Sequence, residues 1–189
     1  VIAEWAAVIA VLVFAFDRAG TAATGFASMT LLVGSLGAAP LAGRLIDRFR
    51  AQRTRTAGLA VQCLGYGVAA FAAGVGAPVA VVVVAATVAL GSVTTLRPSG
   101  AVLVPAHARD PDELVTAHSW IWYAEGASVL GGPLLATALL GAVGADGVLL
   151  ACAAAALAGV MVSVSDLDTD PPVPVLGPTD HVERSAWRL

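Results

Sequence analysis

The most constraining feature of the sequence is a run of 41 residues, from Thr56 to Leu96, that contains no charged side chain. A membrane-spanning helix needs about 20 apolar residues to cross the hydrocarbon core. A single helix of this length would therefore overshoot the membrane. Because a Gly-Val-Gly-Ala-Pro segment near the middle of the run carries turn signals, the run predicts two membrane helices, over residues 56–75 and 78–104, joined by a tight hairpin.

The other apolar runs of the chain divide in the same way. Short charged clusters separate them, and the Asp-Pro-Asp-Glu sequence at residues 110–113 is typical of a capped helix start. Only 12% of the residues are charged, about half the share in a soluble domain. We therefore expect an all-α membrane protein in which residues 1–165 form six transmembrane helices. Besides the two helices named above, these cover residues 1–16, 20–45, 111–143 and 147–165.

The two ends of the chain differ from its middle. Residues 166–189 combine aspartates with several prolines, a composition typical of an extended linker or tail. The chain begins at Val1 and is apolar almost at once, without a basic segment before the first run. We expect Val1 to lie inside or just before the first spanning helix of a larger protein, rather than in a signal peptide.

The arginines predict the orientation of the helices. Five of the ten basic residues lie between the second and third predicted helices, and loops rich in Arg and Lys face the cytoplasm. This places residues 44–55 and the acidic tail in the cytoplasm of a multi-pass plasma-membrane protein. All ten basic residues are arginine, and Ala, Val and Gly are abundant, which indicates a GC-rich genome and a bacterial inner membrane.

A family resemblance begins in that arginine-rich loop. The sequence Gly43-Arg-Leu45-Ile-Asp47-Arg48 resembles the G-x-L-x-D-R signature loop of the major facilitator superfamily of transporters. Arg50, Ala51 and Gln52 depart from the glycine and basic pair that follow in the family. The resemblance implies that Gly43, Leu45, Asp47 and Arg48 form a conformational gate, in which the Asp47 carboxylate pairs with arginines and a helix end. The alternative is a solvated basic loop that only sets topology.

Two later stretches resemble the same superfamily, in its drug and siderophore exporters. Arg97-Pro98, followed by Pro105, resembles their fourth-helix region. The stretch from Gly126 to Gly132-Pro133 resembles the fifth-helix motif of antiporters, although Ala136-Thr137 replace its last glycine pair. The resemblance covers nearly all of residues 1–165 and implies the N-terminal six-helix half of an exporter. It also implies a missing C-terminal six-helix half as partner and a proton gradient, without a cofactor, as energy source.

Ionisable and aromatic groups inside the predicted spans are the candidate functional residues, because charge in a bilayer is costly and is retained mainly for function. We expect Glu125 to exchange protons as substrate moves. Arg97, His118 and Trp122 are further candidates for the proton or substrate pathway. The alternatives are a structural role for the Glu125 carboxylate and a guanidinium of Arg97 that extends to the lipid headgroups. His118 would then serve helix packing, and Trp122 would serve packing or lie at the membrane interface. In the fifth helix, Pro133 predicts a bend.

Several function classes remain after these observations. The favoured one is proton-coupled efflux of small amphipathic molecules, either drugs or metabolites. An importer of a small solute and a non-catalytic six-helix scaffold are the alternatives. An enzyme is disfavoured because no G-x-S-x-G or H-E-x-x-H motif occurs, and the adjacent His118 and Ser119 point apart on a helix. Cys63 and Cys152 lie in apolar runs without metal-site spacing, so we expect no metal site. The expected partners are the bilayer and a small-molecule substrate, with no nucleic acid.

Overall fold

The computed structural model describes residues 2–49, 51–94, 96 and 111–165, and nearly all of these residues are helical. In chain order, the helices of the described part are α1 (Ile2–Arg48), α2 (Ala51–Gly74), α3 (Val79–Val93) and α4 (Pro111–Ser165). The described residues are all-helical, which confirms the predicted all-α class. The end of the predicted helix 78–104, the side chains of Arg97 and Asp47, and the tail 166–189 lie outside the described residues.

Helices α1 and α4 each bend at one glycine. Gly20 has φ 73° and ψ −166°, and Gly144 has φ 72° and ψ 179°. This backbone region is open essentially to glycine alone, because a Cβ atom would clash there. The bends divide α1 into α1a (residues 2–19) and α1b (residues 21–48), and α4 into α4a (residues 111–143) and α4b (residues 145–165).

Contacts show that the chain reverses at both bends. Val11 in α1a and Leu31 in α1b line the same small internal cavity, although a straight helix would place them about 30 Å apart. In α4, Gly132 packs on the backbone of Ile2. The Cys152 thiol, 20 residues further on, donates a hydrogen bond to the Ala3 carbonyl oxygen at 3.2 Å. Each long helix is therefore a hairpin of two segments.

The described residues form four helices rather than the predicted six, and two of the four, α1 and α4, each consist of two helical segments. The predicted breaks at residues 16–20 and 143–147 contain Gly20 and Gly144, and each break is a single non-helical residue rather than a loop. The predicted loop 44–55 is mostly helical, because α1 continues to Arg48 and α2 begins at Ala51. Hydropathy marks where apolar stretches stop, whereas a helix can continue beyond its apolar stretch with polar residues at its end.

Small residues fill the interior of the bundle. Its buried core consists mostly of alanines, and the largest fully buried side chains are Tyr66 and Leu149, followed by valines. Large apolar side chains instead point outward: Leu36 is 77% exposed, Phe71 73% and Leu130 72%. A soluble protein rarely exposes such a surface, whereas small residues between closely approaching helices are typical of membrane bundles.

Three of the helices are long and apolar enough to cross a membrane, over Ile2–Leu45, Gln52–Gly74 and Asp112–Ser165. The first and last of these are the two hairpins. The shorter apolar helix α3 packs against α1 and α2, and α4 also packs against both. By contrast, α1 and α2 scarcely contact each other. The long apolar helices are compatible with a membrane protein. The packing of α3 leaves one space beside α1a and α1b and another between α1b and α2.

Candidate functional site

A cavity of about 590 Å³ lies between α1a, α1b and α3, and we call it the polar cavity. Its walls are mainly leucine and valine, which are supplied by all three segments. Five polar residues interrupt these walls: Glu4, Trp5, Ser28, Ser35 and Thr94. A mostly apolar cavity of this size with a few convergent polar groups has the general character of a small-molecule site.

Glu4 is part-buried and lines the polar cavity. It precedes the bend at Gly20 by 16 residues, about 24 Å along α1a. The antiparallel segment α1b continues for about 42 Å beyond the same bend to Arg48, so Glu4 is level with the middle of α1b. Its Oε2 atom is buried. A carboxylate at this depth marks a functional candidate, because desolvation makes its charge costly.

The three hydroxyl groups that line the polar cavity can accept hydrogen bonds from a molecule bound in it. Ser28 donates to the Thr24 carbonyl at 2.9 Å, Ser35 donates to the Leu31 carbonyl at 2.7 Å, and Thr94 donates to the Gly91 carbonyl at 2.6 Å. Because each hydroxyl hydrogen is used within its own helix, the oxygen lone pairs are what remains for a ligand. Together with the Glu4 carboxylate, they favour a ligand that carries N–H donors or a positive charge.

Trp5 adds a donor to this set of acceptors. Its indole Nε1 atom is buried and has no hydrogen-bond partner among the described residues. Buried donors usually have a partner, and Trp5 lines the polar cavity beside Glu4. A bound molecule with an acceptor group would give Trp5 Nε1 a hydrogen-bond partner.

The sequence candidates of the fifth predicted helix lie elsewhere. Glu125 is half-buried, while His118 is exposed with Nδ1 3.3 Å from the Leu114 carbonyl of its own helix. Trp122 is 71% exposed. None of the three lines the polar cavity. Glu125 precedes Gly132 by two turns, so it lies about 10 Å from the level at which α4a meets α1a.

The two motif glycines of that helix differ. Gly132 is buried, and a Cβ atom there would lie 2.5 Å from Trp5 Cβ and 2.9 Å from the Ile2 carbonyl oxygen. Gly126 has open space around it. Pro133 lies within continuous α4, and the φ/ψ break of that helix is at Gly144 instead. Gly132 thus allows α4a to support the wall residue Trp5.

The predicted gate segment ends α1. Gly43 is exposed, and a Cβ atom added there would have open space around it. Leu45 is 41% exposed. Arg48 is exposed at the last helical position. Just beyond it, the start of α2 is anchored to α4b by buried polar groups. Gln52 Nε2 donates to the Ser163 carbonyl oxygen at 3.0 Å, and the Thr56 and Ser163 hydroxyl oxygens are 2.8 Å apart.

Sequence reasoning missed the two most informative residues, Glu4 and Trp5. Glu4 was visible as the only charge in the first apolar run, but only Glu125 was selected as the candidate carboxylate. The anchor of Gln52 on Ser163 joins residues 111 positions apart. No local sequence pattern predicts such a contact.

Comparison with known proteins gives no family: no protein-family model, no curated protein and no solved structure matches the chain. The resemblance to the major facilitator superfamily therefore rests on the motifs alone.

Proposed function

We propose that the chain forms the N-terminal six-helix half of a major facilitator superfamily transporter in the plasma membrane, and that it exports small amphipathic molecules in exchange for protons. The observation that carries this proposal is the Glu4 carboxylate in the polar cavity, which is lined by three mainly apolar segments. In this superfamily two six-helix halves hold substrate between them near the midplane. The six segments created by the two glycine bends supply one such half.

The proposed coupling uses one carboxylate for two ligands. A proton and a cationic substrate would compete for Glu4, because a carboxylate can bind either one but not both at once. Release of substrate would then permit protonation, and deprotonation would permit rebinding. The acceptors Ser28, Ser35 and Thr94 favour amphipathic molecules that carry a protonated amine over neutral or anionic ones.

The gate assigned to Gly43–Arg48 fits this scheme. The segment ends α1b, which also lines the polar cavity through Ser28 and Ser35. Displacement of α1b by substrate would therefore move the gate residues. The Gln52–Ser163 contact holds the following helix in place, so α1b would move against a fixed neighbour.

Transport in proteoliposomes tests the function. The bundle would be paired with a second six-helix half, and accumulation of a fluorescent lipophilic amine would be followed with and without a pH gradient. We expect gradient-dependent accumulation that Glu4→Gln abolishes. Accumulation that survives Glu4→Gln but is lost in Glu125→Gln would move the coupling site to Glu125. No gradient-dependent accumulation by the unsubstituted protein would favour the scaffold alternative.

Cysteine labelling tests the topology separately. In a Cys63→Ala, Cys152→Ala background, a cysteine at Arg48 should react with an impermeant maleimide only after cells are permeabilised. A cysteine at Asp146, beside the bend at Gly144, should react in intact cells. The reverse pattern would contradict the proposed orientation, and equal reactivity of both sites in intact cells would contradict a spanning bundle.

A further inference from the structure

A second space, which we call the apolar groove, lies on another face of the bundle. It has a volume of about 710 Å³. Its floor is α3, and its walls are α1b and α2, which scarcely contact each other. The lining is almost entirely apolar, with Leu41, Leu45 and Val61 among its larger side chains and glycines between them.

One end of the groove is positively charged. Arg53 lines it at the end where α1 and α2 connect, next to Phe49. Residues 44–55 contain five arginines and one acidic residue, Asp47. An apolar channel that opens at a cationic end is complementary to a molecule with an apolar chain and an anionic head.

The dimensions match one lipid leaflet. The wall formed by α1b extends from Gly34 to Phe49, about 22 Å along the helix. Half of a bilayer, headgroups included, measures about 20–22 Å. The length of the groove and the arginine at its end therefore suit an acyl chain that carries an anionic headgroup.

From this combination we infer that the apolar groove is a binding site for an anionic phospholipid. One acyl chain lies along α3 between α1b and α2, and the phosphate pairs with the Arg53 guanidinium. Basic pockets between membrane helices are a known form of anionic headgroup site. The inference needs membrane embedding but not transport, so it can fail or succeed independently of the proposed function.

Native mass spectrometry of the detergent-purified chain tests the inference. Phosphatidylglycerol and phosphatidylcholine with identical acyl chains would be added in turn, and the lipid-bound fraction compared. We expect about fivefold tighter binding of phosphatidylglycerol, as estimated for one arginine near anionic lipid. Arg53→Gln should remove this preference. Arg55→Gln is the matched control, because Arg55 is also exposed on α2 but does not line the groove; it should change binding less than twofold.

A second pair of variants tests the place of the acyl chain. Gly37 lines the groove and has open space around it, so Gly37→Leu should fill the groove without a clash and abolish lipid binding. Gly25, on the same helix and equally open, lies outside the groove, and Gly25→Leu should bind lipid normally. Equal binding of the two lipids, equal losses in Arg53→Gln and Arg55→Gln, or unchanged binding in Gly37→Leu would each overturn the inference. A dimer that Gly37→Leu dissociates would do so as well, since a second copy would then occupy the groove.

Discussion

The polar cavity and the apolar groove have similar volumes and share two walls, yet they differ in chemistry. Both are lined by α1b and α3. The third wall of the polar cavity is α1a, which contributes a carboxylate and an indole, whereas the third wall of the groove is α2, which contributes a guanidinium. The same two helices can therefore face a cationic ligand on one side and an anionic one on the other, because the third helix decides the charge.

The largest expected effect is on the binding of a cationic ligand, which should depend on the polar cavity and not on the apolar groove. Glu4→Gln should weaken binding of a lipophilic amine tenfold or more, since a charge-assisted hydrogen bond contributes about 1.5–3 kcal/mol. Arg53→Gln should leave amine binding unchanged. Equilibrium binding of a fluorescent amine to the chain in detergent would measure both. If Arg53→Gln weakened amine binding as much as Glu4→Gln, the two spaces could not be treated as separate sites.

The next effect concerns the support of the polar cavity. Gly132→Leu should destabilise the bundle by about 3 kcal/mol, the upper end of overpacking costs, because its side chain would collide with the backbone at Ile2 and with Trp5. Gly126→Leu is the control and should be close to neutral. Thermal unfolding in detergent, followed by circular dichroism, would compare them. Similar melting temperatures for the two variants would contradict the close approach of α4a to α1a.

The bend at Gly20 should have a somewhat smaller effect. Gly20→Ala forces a residue with a Cβ atom into a region reserved for glycine, at a cost of about 2 kcal/mol. Because this bend folds α1a onto α1b, amine binding should weaken in parallel, while lipid binding in the groove should persist. Gly25→Ala, within regular helix, should instead be neutral or stabilise by about 0.5–1 kcal/mol. A stabilised Gly20→Ala variant would mean that α1 does not reverse there.

The smallest effect should come from the anchor at the start of α2. Gln52→Leu removes the buried hydrogen bond to Ser163, and hydrogen bonds between membrane helices contribute about 1 kcal/mol. Without this hydrogen bond, α2 should be held less firmly as a wall of the apolar groove. Phosphatidylglycerol binding should then fall slightly, and amine binding should not change. Unfolding in a denaturing detergent series would give the stability change. An effect on amine binding larger than that on lipid binding would place the anchor with the polar cavity instead.

Much of the fold could be predicted from local pattern. Uncharged runs located the apolar helices, and turn residues placed the hairpin near Gly76, where the structure has a positive φ of 74°. The two other reversals were expected within four residues of Gly20 and Gly144. Their form was not predicted, because Asp17, Arg18 and Asp146 mark where an apolar run ends but do not show that one glycine with a positive φ reverses the chain.

Less of the candidate site could be predicted. Glu4 and Glu125 are both single carboxylates in apolar runs, and hydropathy cannot rank them. Of the two, only Glu4 is brought to a described cavity, because α1a packs between α1b and α4 while the exposed face of α4a carries Trp122. The glycines show the same limit: Gly132 and Gly126 belong to one motif, but only Gly132 meets another helix.

The sequence by itself determined that the chain is helical and apolar, and where its charges are concentrated, because these properties depend on neighbouring residues and on solvent. Only the tertiary structure decided which residues share a cavity. Ser163 and Gln52, or Glu4 and Thr94, are far apart in the chain, and their proximity depends on which faces of the helices pack together. That choice follows from the fit of small side chains across α1, α3 and α4, a property of pairs of surfaces that no single segment contains.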